Sequence, residues 1–129
     1  LTFKMLDFDD QKVIDLFNSP VMEECGGCFI AEDKGEAIGM FCGTVIPHYF
    51  GHMLMANDLC LFVTKSRRGG TAAYRLIKTF ENWAVAKGAV SLRFGVSTNI
   101  EPERTLKLYE KLGYKLEGYQ VNKYYKGTK

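Results

Sequence analysis

Between a long apolar segment and a long amphipathic one, the chain reads Leu61-Phe62-Val63-Thr64-Lys65-Ser66-Arg67-Arg68-Gly69-Gly70-Thr71-Ala72-Ala73. Residues 53–63, which lead into this stretch, predict a long strand that only Asn57 and Asp58 interrupt with polar side chains. From about residue 71 to residue 87, apolar side chains recur at i, i+3, i+4 and i+7, which predicts a helix with one face in the core. The quoted residues therefore form a basic, glycine-containing turn between a strand and a helix.

A turn of this kind, at the start of a helix, is suited to binding an anion. The first N–H groups of a helix have no partner inside it, and the helix dipole gives this end a partial positive charge. Small residues let a pyrophosphate approach the backbone closely, and Arg67 and Arg68 add charge-assisted donors. The alternative is a solvated basic turn in front of an amphipathic helix. Neither the Gly-Lys-Ser/Thr of a Walker loop nor a Gly-x-Gly-x-x-Gly fingerprint is present, so those two nucleotide-binding loops are excluded.

The rest of the sequence adds strands and helices on both sides of this turn. The expected elements are a strand at 2–6, a helix from Asp9 or Asp10 to Ser19-Pro20, a loop at 20–27, a hairpin of strands at 28–32 and 37–46, a strand at 90–96, a helix from Pro102 to Gly113, and two short strands at 114–126. Strands that first follow one another and then alternate with helices predict a mixed sheet covered by helices. The expected fold class is therefore α/β of the mixed α+β kind.

The composition fits one globular domain, which we expect to cover residues 1–129. Of the 129 residues, 47% are hydrophobic and 25% are charged, which is ordinary for such a domain. A net charge of +2 gives no strong field, so we expect no nucleic-acid partner. The apolar runs fall short of the roughly 20 residues of a membrane helix, and no charged-then-apolar leader opens the sequence. We therefore expect neither a membrane partner nor a secretory signal.

The four cysteines leave three interpretations open. Cys25 and Cys28 form a Cys-Gly-Gly-Cys pair, whereas Cys42 and Cys60 stand apart in the sequence. Such a pair can be half of a zinc site or a redox motif, but a zinc site needs two more ligands, and the spacing of the other candidates is poor. The favoured interpretation is reduced thiols without a metal, which predicts a cytoplasmic protein.

Two blocks of the sequence resemble the GNAT family of N-acetyltransferases. The family's Leu-x-Val and Arg-Gly-x-Gly-x-Gly/Ala, between a long strand and a long helix, are similar to Leu61-x-Val63 and Arg68-Gly69-Gly70-Thr71-Ala72-Ala73. Its C-terminal block is similar to Leu108-Tyr109-Glu110-Lys111-Leu112-Gly113-Tyr114. The chain departs from the pattern at Lys65, where the family often has Pro, and at Thr71, where a glycine usually stands. The register of the turn is therefore defined to about one residue.

The resemblance implies a fold and a cosubstrate. The fold is a central, mixed and mostly antiparallel sheet of about six to seven strands, with helices on both faces. The cosubstrate is acetyl-CoA, the acceptor is a primary amine, no metal takes part, and the family commonly forms homodimers. The Arg-Arg-Gly-Gly-Thr-Ala-Ala form of the turn also resembles a branch often met in bacterial viruses.

The resemblance also implies roles for individual residues. In the family, the strand before the turn pairs with the pantetheine arm and polarises the thioester carbonyl, and the N–H groups of the turn bind the pyrophosphate. The corresponding residues are Leu61, Phe62 and Val63 for pantetheine, and Arg68, Gly69, Gly70, Thr71, Ala72 and Ala73 for pyrophosphate. Asn99 stands near the position of a pantetheine-binding asparagine, although it would equally suit a cap or a turn. Tyr109 corresponds to the tyrosine that protonates the departing thiolate or holds its sulfur; the alternative is a core tyrosine on a helix face.

The general base is left open by the sequence. A primary amine has a pKa of about 10, so a proton must be removed before it attacks at neutral pH. Alignment through Val63 puts Asn57 where the family often has an acid, with Asp58 beside it, and neighbouring strand residues face opposite sides. Either the acid is missing or a bulge in the strand changes this alternation. Asp58 is then the candidate base; a structural Asp58, with deprotonation through ordered water, is the alternative.

Two further matters stay open at this stage. Because the acid on the strand is weakly supported, the second functional hypothesis is a weakly active or inactive module that binds CoA or a partner protein. The acceptor is expected to contact the loops at 20–27 and 48–52 and the chain near Tyr119, where acidic and aromatic side chains suit a cationic amine.

Overall fold

The structure is a computed structural model that describes residues 9–95 and 102–121, together with Lys123 and Tyr125. In chain order its elements are α1 (Asp10–Phe17), α2 (Pro20–Cys25), β1 (Gly26–Asp33), β2 (Glu36–Pro47), β3 (Leu54–Val63), a short 3-10 turn (Lys65–Arg67), α3 (Ala72–Ala86), β4 (Ser91–Arg93) and α4 (Pro102–Lys111). The chain divides into two compact units. One is Ile14–Phe94 and holds the sheet; the other includes α4 and the residues after it.

The first unit is built on a mixed sheet with the strand order β1-β2-β3-β4. The first three strands are antiparallel, and β4 runs parallel to β3. Helices cover both faces, since a Cβ on Gly26 would meet Met22 of α2 and a Cβ on the next residue, Gly27, would meet Trp83 of α3. The expected α/β class, with a mostly antiparallel sheet between helices, is thereby confirmed.

The strand count of the described residues differs from the expectation. Their sheet has four strands, and the strand expected at 2–6 lies outside the described residues. Residues 114–121 form no strand, which corrects the prediction of two strands around Gly118 as far as the structure describes that segment. The physical reason is that alternating apolar residues form a strand only where a partner buries them, whereas Tyr119 and Val121 are almost fully exposed.

Aromatic side chains form the core between the sheet and α3. Phe41 of β2 and Phe80 of α3 are completely buried, with ring centroids 4.5 Å apart. Phe29 and Trp83 extend the cluster on one side, and Phe94 extends it on the other. Complete burial of one such side chain contributes roughly 1.5–3 kcal/mol, so this cluster fixes α3, and with it the turn that precedes α3, against the sheet.

The segment before β1 is a helix where the sequence predicted a loop. In α2, Ser19 is the N-cap, and its hydroxyl accepts a hydrogen bond from the Met22 N–H at 3.4 Å. Pro20 stands in the first turn, where a missing N–H costs nothing. Six residues suffice because Met22 is buried beneath the sheet. The loop prediction gave Pro20 and the two glycines too much weight and missed this cap.

The second unit contains α4, which begins at Pro102 as expected and ends before Gly113 with its φ of +95°. Tyr109 is 4% exposed, and its ring packs edge-on against Tyr114 at 5.5 Å. No helix in the described part of the chain is long and apolar enough to cross a membrane.

Candidate active site

The pairing between β3 and β4 is short and ends in the middle of β3. The parallel partners are Met55 with Ser91, Ala56 with Leu92, and Asn57 with Arg93. Beyond Asn57, β3 continues for six more residues to Val63, along which no described residue of β4 is paired. One edge of residues 59–63 therefore presents backbone N–H and C=O groups without a strand beside them in the described chain.

A β-bulge lies at the point where this pairing ends. On the other edge of β3, Asp58 is opposite Gly43 and Cys60 is opposite Cys42, so Leu59 is an extra residue in β3. Bulges bend a strand and increase its twist, and they are common beside functional sites. The sequence left two explanations for the position of Asp58, a missing acid or a bulge that changes the alternation of the strand, and the structure contains the bulge.

Asp58 is half-buried at this bulge and influences the neighbouring thiol. Burial raises the pKa of the Cys60 thiol, and the negative charge of Asp58 raises it further. Leu61 and Phe62 are also half-buried, and Val63 is buried. The carboxylate that the sequence proposed as a base thus lies on the same strand as the expected pantetheine-binding residues, where β3 begins to run without β4.

The turn after β3 is held by hydrogen bonds that involve both arginines. The Arg68 Nε donates to the Val63 carbonyl at 2.8 Å, and the guanidinium lies 5.6 Å from the centre of the Phe62 ring. The Arg67 guanidinium pairs with Asp33 of β1. Each arginine is therefore tied to the sheet through part of its guanidinium, and the remaining N–H groups are those that can reach an anion.

The start of α3 leaves its first amides uncapped. Thr71 is the N-cap residue, but no side chain in the described residues caps the helix there. The first helical hydrogen bond runs from the Arg75 N–H to the Thr71 carbonyl at 3.0 Å, so the N–H groups of the first turn precede the helical ladder. Gly69 has a φ of +92°, a conformation that favours glycine, and it turns the chain into this helix.

An open groove of about 610 Å³ runs from this helix start to the edge of β1. Gly70, Thr71 and Ala72 line it on the helix side, and Asp33 and Arg67 line it on the strand side. The sequence did not predict that β1 contributes to this surface. No motif signals the pairing of Asp33 with Arg67, because they are 34 residues apart and the hairpin and the turn bring them together.

A comparison with known protein families identifies the family to which this strand, turn and helix belong. A sequence model of the acetyltransferase (GNAT) family matches residues 3–114. The chain belongs to the GNAT family. No curated protein sequence gave a significant match.

Solved structures show the same GNAT fold at low sequence identity. AAC(6')-Iy, in complex with the bisubstrate analogue CoA-S-monomethyl-acetylneamine, is 23% identical with a TM-score of 0.72, over 98% of this chain and 86% of that one. The aminoglycoside acetyltransferase HMB0005, from an uncultured soil metagenomic sample, is 22% identical with a TM-score of 0.72, over 97% and 80% of the two chains. A transcriptional regulator from Bacillus halodurans is 18% identical with a TM-score of 0.77, over 97% and 85%.

In this GNAT chain, the structure brings most of the expected site residues together in the first unit. Leu61, Phe62 and Val63 form the end of β3, and the six residues from Arg68 to Ala73 run from the turn into the first turn of α3. Tyr109 lies in the second unit, and Asn99 lies outside the described residues.

In the structure, the cysteine next to Cys28 is Cys42, whereas the sequence pattern suggested that Cys25 and Cys28 act as a pair. Cys25 ends α2, whereas the Cys28 sulfur lies 2.8 Å from the Cys42 sulfur. Among the described residues, no group of three or more His, Cys, Asp or Glu side chains is arranged to hold a metal ion.

The expected acceptor loops have two different structures. Residues 20–25 are helical, as described above. At the β2–β3 connection, Tyr49 and Phe50 are more than 90% exposed, and the His48 Nδ1 accepts a hydrogen bond from the Phe50 N–H at 3.1 Å. This imidazole therefore stabilises the turn that carries the two exposed rings.

Proposed function

We propose that this protein transfers an acetyl group from acetyl-CoA to a primary amine. The observation that carries the proposal is the end of the parallel pairing at Asn57 and Arg93, while β3 continues to Val63. The pantetheine arm is peptide-like, so it can pair with the backbone of residues 59–63 as an added strand would. The family match spans residues 3–114, across both units, which supports one GNAT domain.

The diphosphate of CoA binds, in this proposal, to the N–H groups from Arg68 to Ala73. Three features support it: the uncapped first turn of α3, the dipole of this fifteen-residue helix, and the positive φ of Gly69. The side chain of Arg68 is held against the strand, so its free N–H groups add charge at a defined place. Backbone donors are the main ligands here, and the guanidinium groups assist them.

The chemistry is an acyl transfer by direct attack. The amine nitrogen forms a bond to the thioester carbonyl carbon, the C–S bond breaks, and the acetylated amine and CoA leave. Asp58, or a water next to it, takes the proton of the amine, and Tyr109 gives a proton to the departing thiolate, as the family resemblance implies. A backbone N–H near Leu61 stabilises the negative charge that develops on the carbonyl oxygen.

The binding half of the proposal is tested by titrating the protein with CoA in a calorimeter. We expect saturable binding, and the same titration with a variant in which Ala72 is replaced by Pro should lose most of it. That change removes an N–H of the first turn at a position where proline suits a helix. Absence of binding by the unmodified protein would refute the function.

The catalytic half is tested by incubating the protein with acetyl-CoA and a panel of amines. The panel includes aminoglycosides, because the neighbours HMB0005 and AAC(6')-Iy point to that class of probe. Product is detected by mass spectrometry, since the four thiols of the protein would react in a colorimetric thiol assay. Binding of CoA without acetylation of any amine would favour the alternative of an inactive CoA-binding module.

A further inference from the structure

Three cysteine side chains lie next to one another on one face of the sheet. Cys28 of β1 is opposite Cys42 of β2, which in turn is opposite Cys60 of β3. Directly opposed residues of antiparallel strands point to the same face. Phe41, the neighbour of Cys42, contacts Phe80 of α3, so the cysteines occupy the face away from α3.

Two bulges produce this alignment. In the β1–β2 hairpin, Glu32 pairs with Ala37 and Ala31 pairs with Gly39, so Ile38 is an extra residue. Without that extra residue, the register set by the turn would place Cys28 opposite Phe41. The bulge at Leu59 likewise brings Cys60 opposite Cys42. The two bulges therefore place Cys28, Cys42 and Cys60 in one row across the three strands.

Cys28 and Cys42 are close enough for a covalent link. The Cys42 S–H donates to the Cys28 sulfur at 2.8 Å. Opposed Cα atoms of antiparallel strands are about 4.5–5.5 Å apart, and disulfides span Cα separations of about 4.4–6.8 Å. A bond between these two sulfurs therefore requires little movement of either strand.

The three thiols differ in their access to solvent. Cys28 is exposed, Cys42 is 0% exposed, and Cys60 is half-buried. Burial raises the pKa of the Cys42 thiol, and its hydrogen bond to Cys28 raises it further. Burial also raises the pKa of Cys60, together with the charge of Asp58. An oxidant from solution thus reaches Cys28 first, with Cys42 positioned behind it.

We propose that Cys28 and Cys42 are a peroxide-sensitive thiol pair that closes to a disulfide between β1 and β2. The Cys28 thiolate attacks hydrogen peroxide, which yields a sulfenic acid on Cys28 and hydroxide. The Cys42 sulfur then attacks the sulfenic sulfur, loses its proton and expels water. Two thiols are oxidised by two electrons, one peroxide is reduced to two waters, and a dithiol reductant reverses the change. This inference does not depend on acetyl transfer.

The test is oxidation of the reduced, full chain with hydrogen peroxide, followed by thiol counting and intact mass. We expect loss of two of the four thiols and a mass decrease of about 2 Da. Trypsin, which cuts after Lys34, combined with a protease that cuts before Asp58, then separates Cys42 from Cys60 without reduction, and fragmentation of the crosslinked peptide in the mass spectrometer between Cys25 and Cys28 locates the bond. The expected crosslinked peptides contain Cys28 and Cys42.

Matched variants complete the test. Cys25→Ser and Cys60→Ser should keep both the crosslink and the loss of two thiols, whereas Cys28→Ser should lose both. In Cys42→Ser, Cys28 should remain trapped as a sulfenic acid that dimedone labels. A bond between Cys25 and Cys28, a bond between Cys42 and Cys60, or further oxidation of Cys28 without any bond would each overturn the proposal. Peptide mapping of the unmodified protein gives this answer even where a variant fails to fold.

Discussion

Replacing Gly43 with alanine tests the geometry of the bulge where β3 separates from β4. Gly43 lies opposite Asp58, and a Cβ at this position would be 2.4 Å from the Asn57 carbonyl oxygen and 2.5 Å from the Phe80 ring. Cβ contacts below 3.0 Å essentially do not occur, so the β3 backbone must move by at least 0.6 Å, the difference between 3.0 and 2.4 Å. The neighbour is a backbone atom of a paired strand, and a rotamer change cannot relieve the contact.

The expected cost is that of overpacking a well-packed interior, about 1–3 kcal/mol of unfolding free energy. With a urea m-value of about 1–3 kcal/mol/M, the unfolding midpoint should fall by roughly 1 M. The assay is urea unfolding followed by tryptophan fluorescence. Trp83 is the only tryptophan in the chain, and its ring is 5.4 Å from that of Phe80, so it reports on this part of the core.

Gly51→Ala is the matched control for this prediction. Gly51 lies in the connection between β2 and β3, its φ is not positive, and a Cβ there meets nothing within 4 Å. Its unfolding midpoint should stay within the error of the unmodified protein. A midpoint for Gly43→Ala that equals that of Gly51→Ala would show that the described register between β2 and β3 is wrong.

Four further substitutions and one control, Gly70→Ala, separate chemistry from binding and folding. Tyr109→Phe should lower the rate of acetyl transfer more than the affinity for CoA, measured by steady-state kinetics and calorimetry; an unchanged rate removes Tyr109 from the mechanism. Asp58→Asn should lower the rate of acetyl transfer most at neutral pH, where the amine needs a base to remove its proton. A rate equal to that of the unmodified protein from about pH 6 to about pH 9 would argue for deprotonation by water alone. Gly69→Ala should weaken CoA binding and cost about 1 kcal/mol or more because of its positive φ, whereas Gly70→Ala, whose Cβ would lie 3.6 Å from the Arg67 carbonyl oxygen, should do neither. Phe80→Ala should cost about 3–5 kcal/mol in urea unfolding, and a loss below about 1 kcal/mol would contradict its place at the centre of the core.

The regular elements were predictable because their side-chain patterns are local. The apolar run from residue 54 to residue 63 and the stripe that includes Leu76 and Phe80 each identify one element without knowledge of the rest of the chain. The first helical turn of α3 and the glycine at position 69 were located for the same reason.

The missed features depend on how elements meet. The bulges at Ile38 and Leu59 set the register between strands, and no local signal fixes that register. The approach of Cys28 to Cys42 depends on this register, so the sequence alone could not predict it. The local Cys-Gly-Gly-Cys pattern indicated Cys25 as the partner of Cys28 instead. Arg68 offers a similar case: the sequence identifies a cation next to the turn, but only the fold shows that it bonds to Val63.

The brevity of β4 has a consequence for how the protein admits a ligand. Within the described residues, three residue pairs join β4 to β3, and the Val90 N–H donates to the Leu54 carbonyl beside them. The described pairing of β4 with β3 is therefore short, whereas β2 pairs with β3 along the entire length of β3. Amide hydrogens of Leu92 and Arg93 should therefore exchange with deuterium well before those of β2. The antiparallel strands β1 to β3 are then the stable part of the sheet, and β4 is the edge strand that opens first.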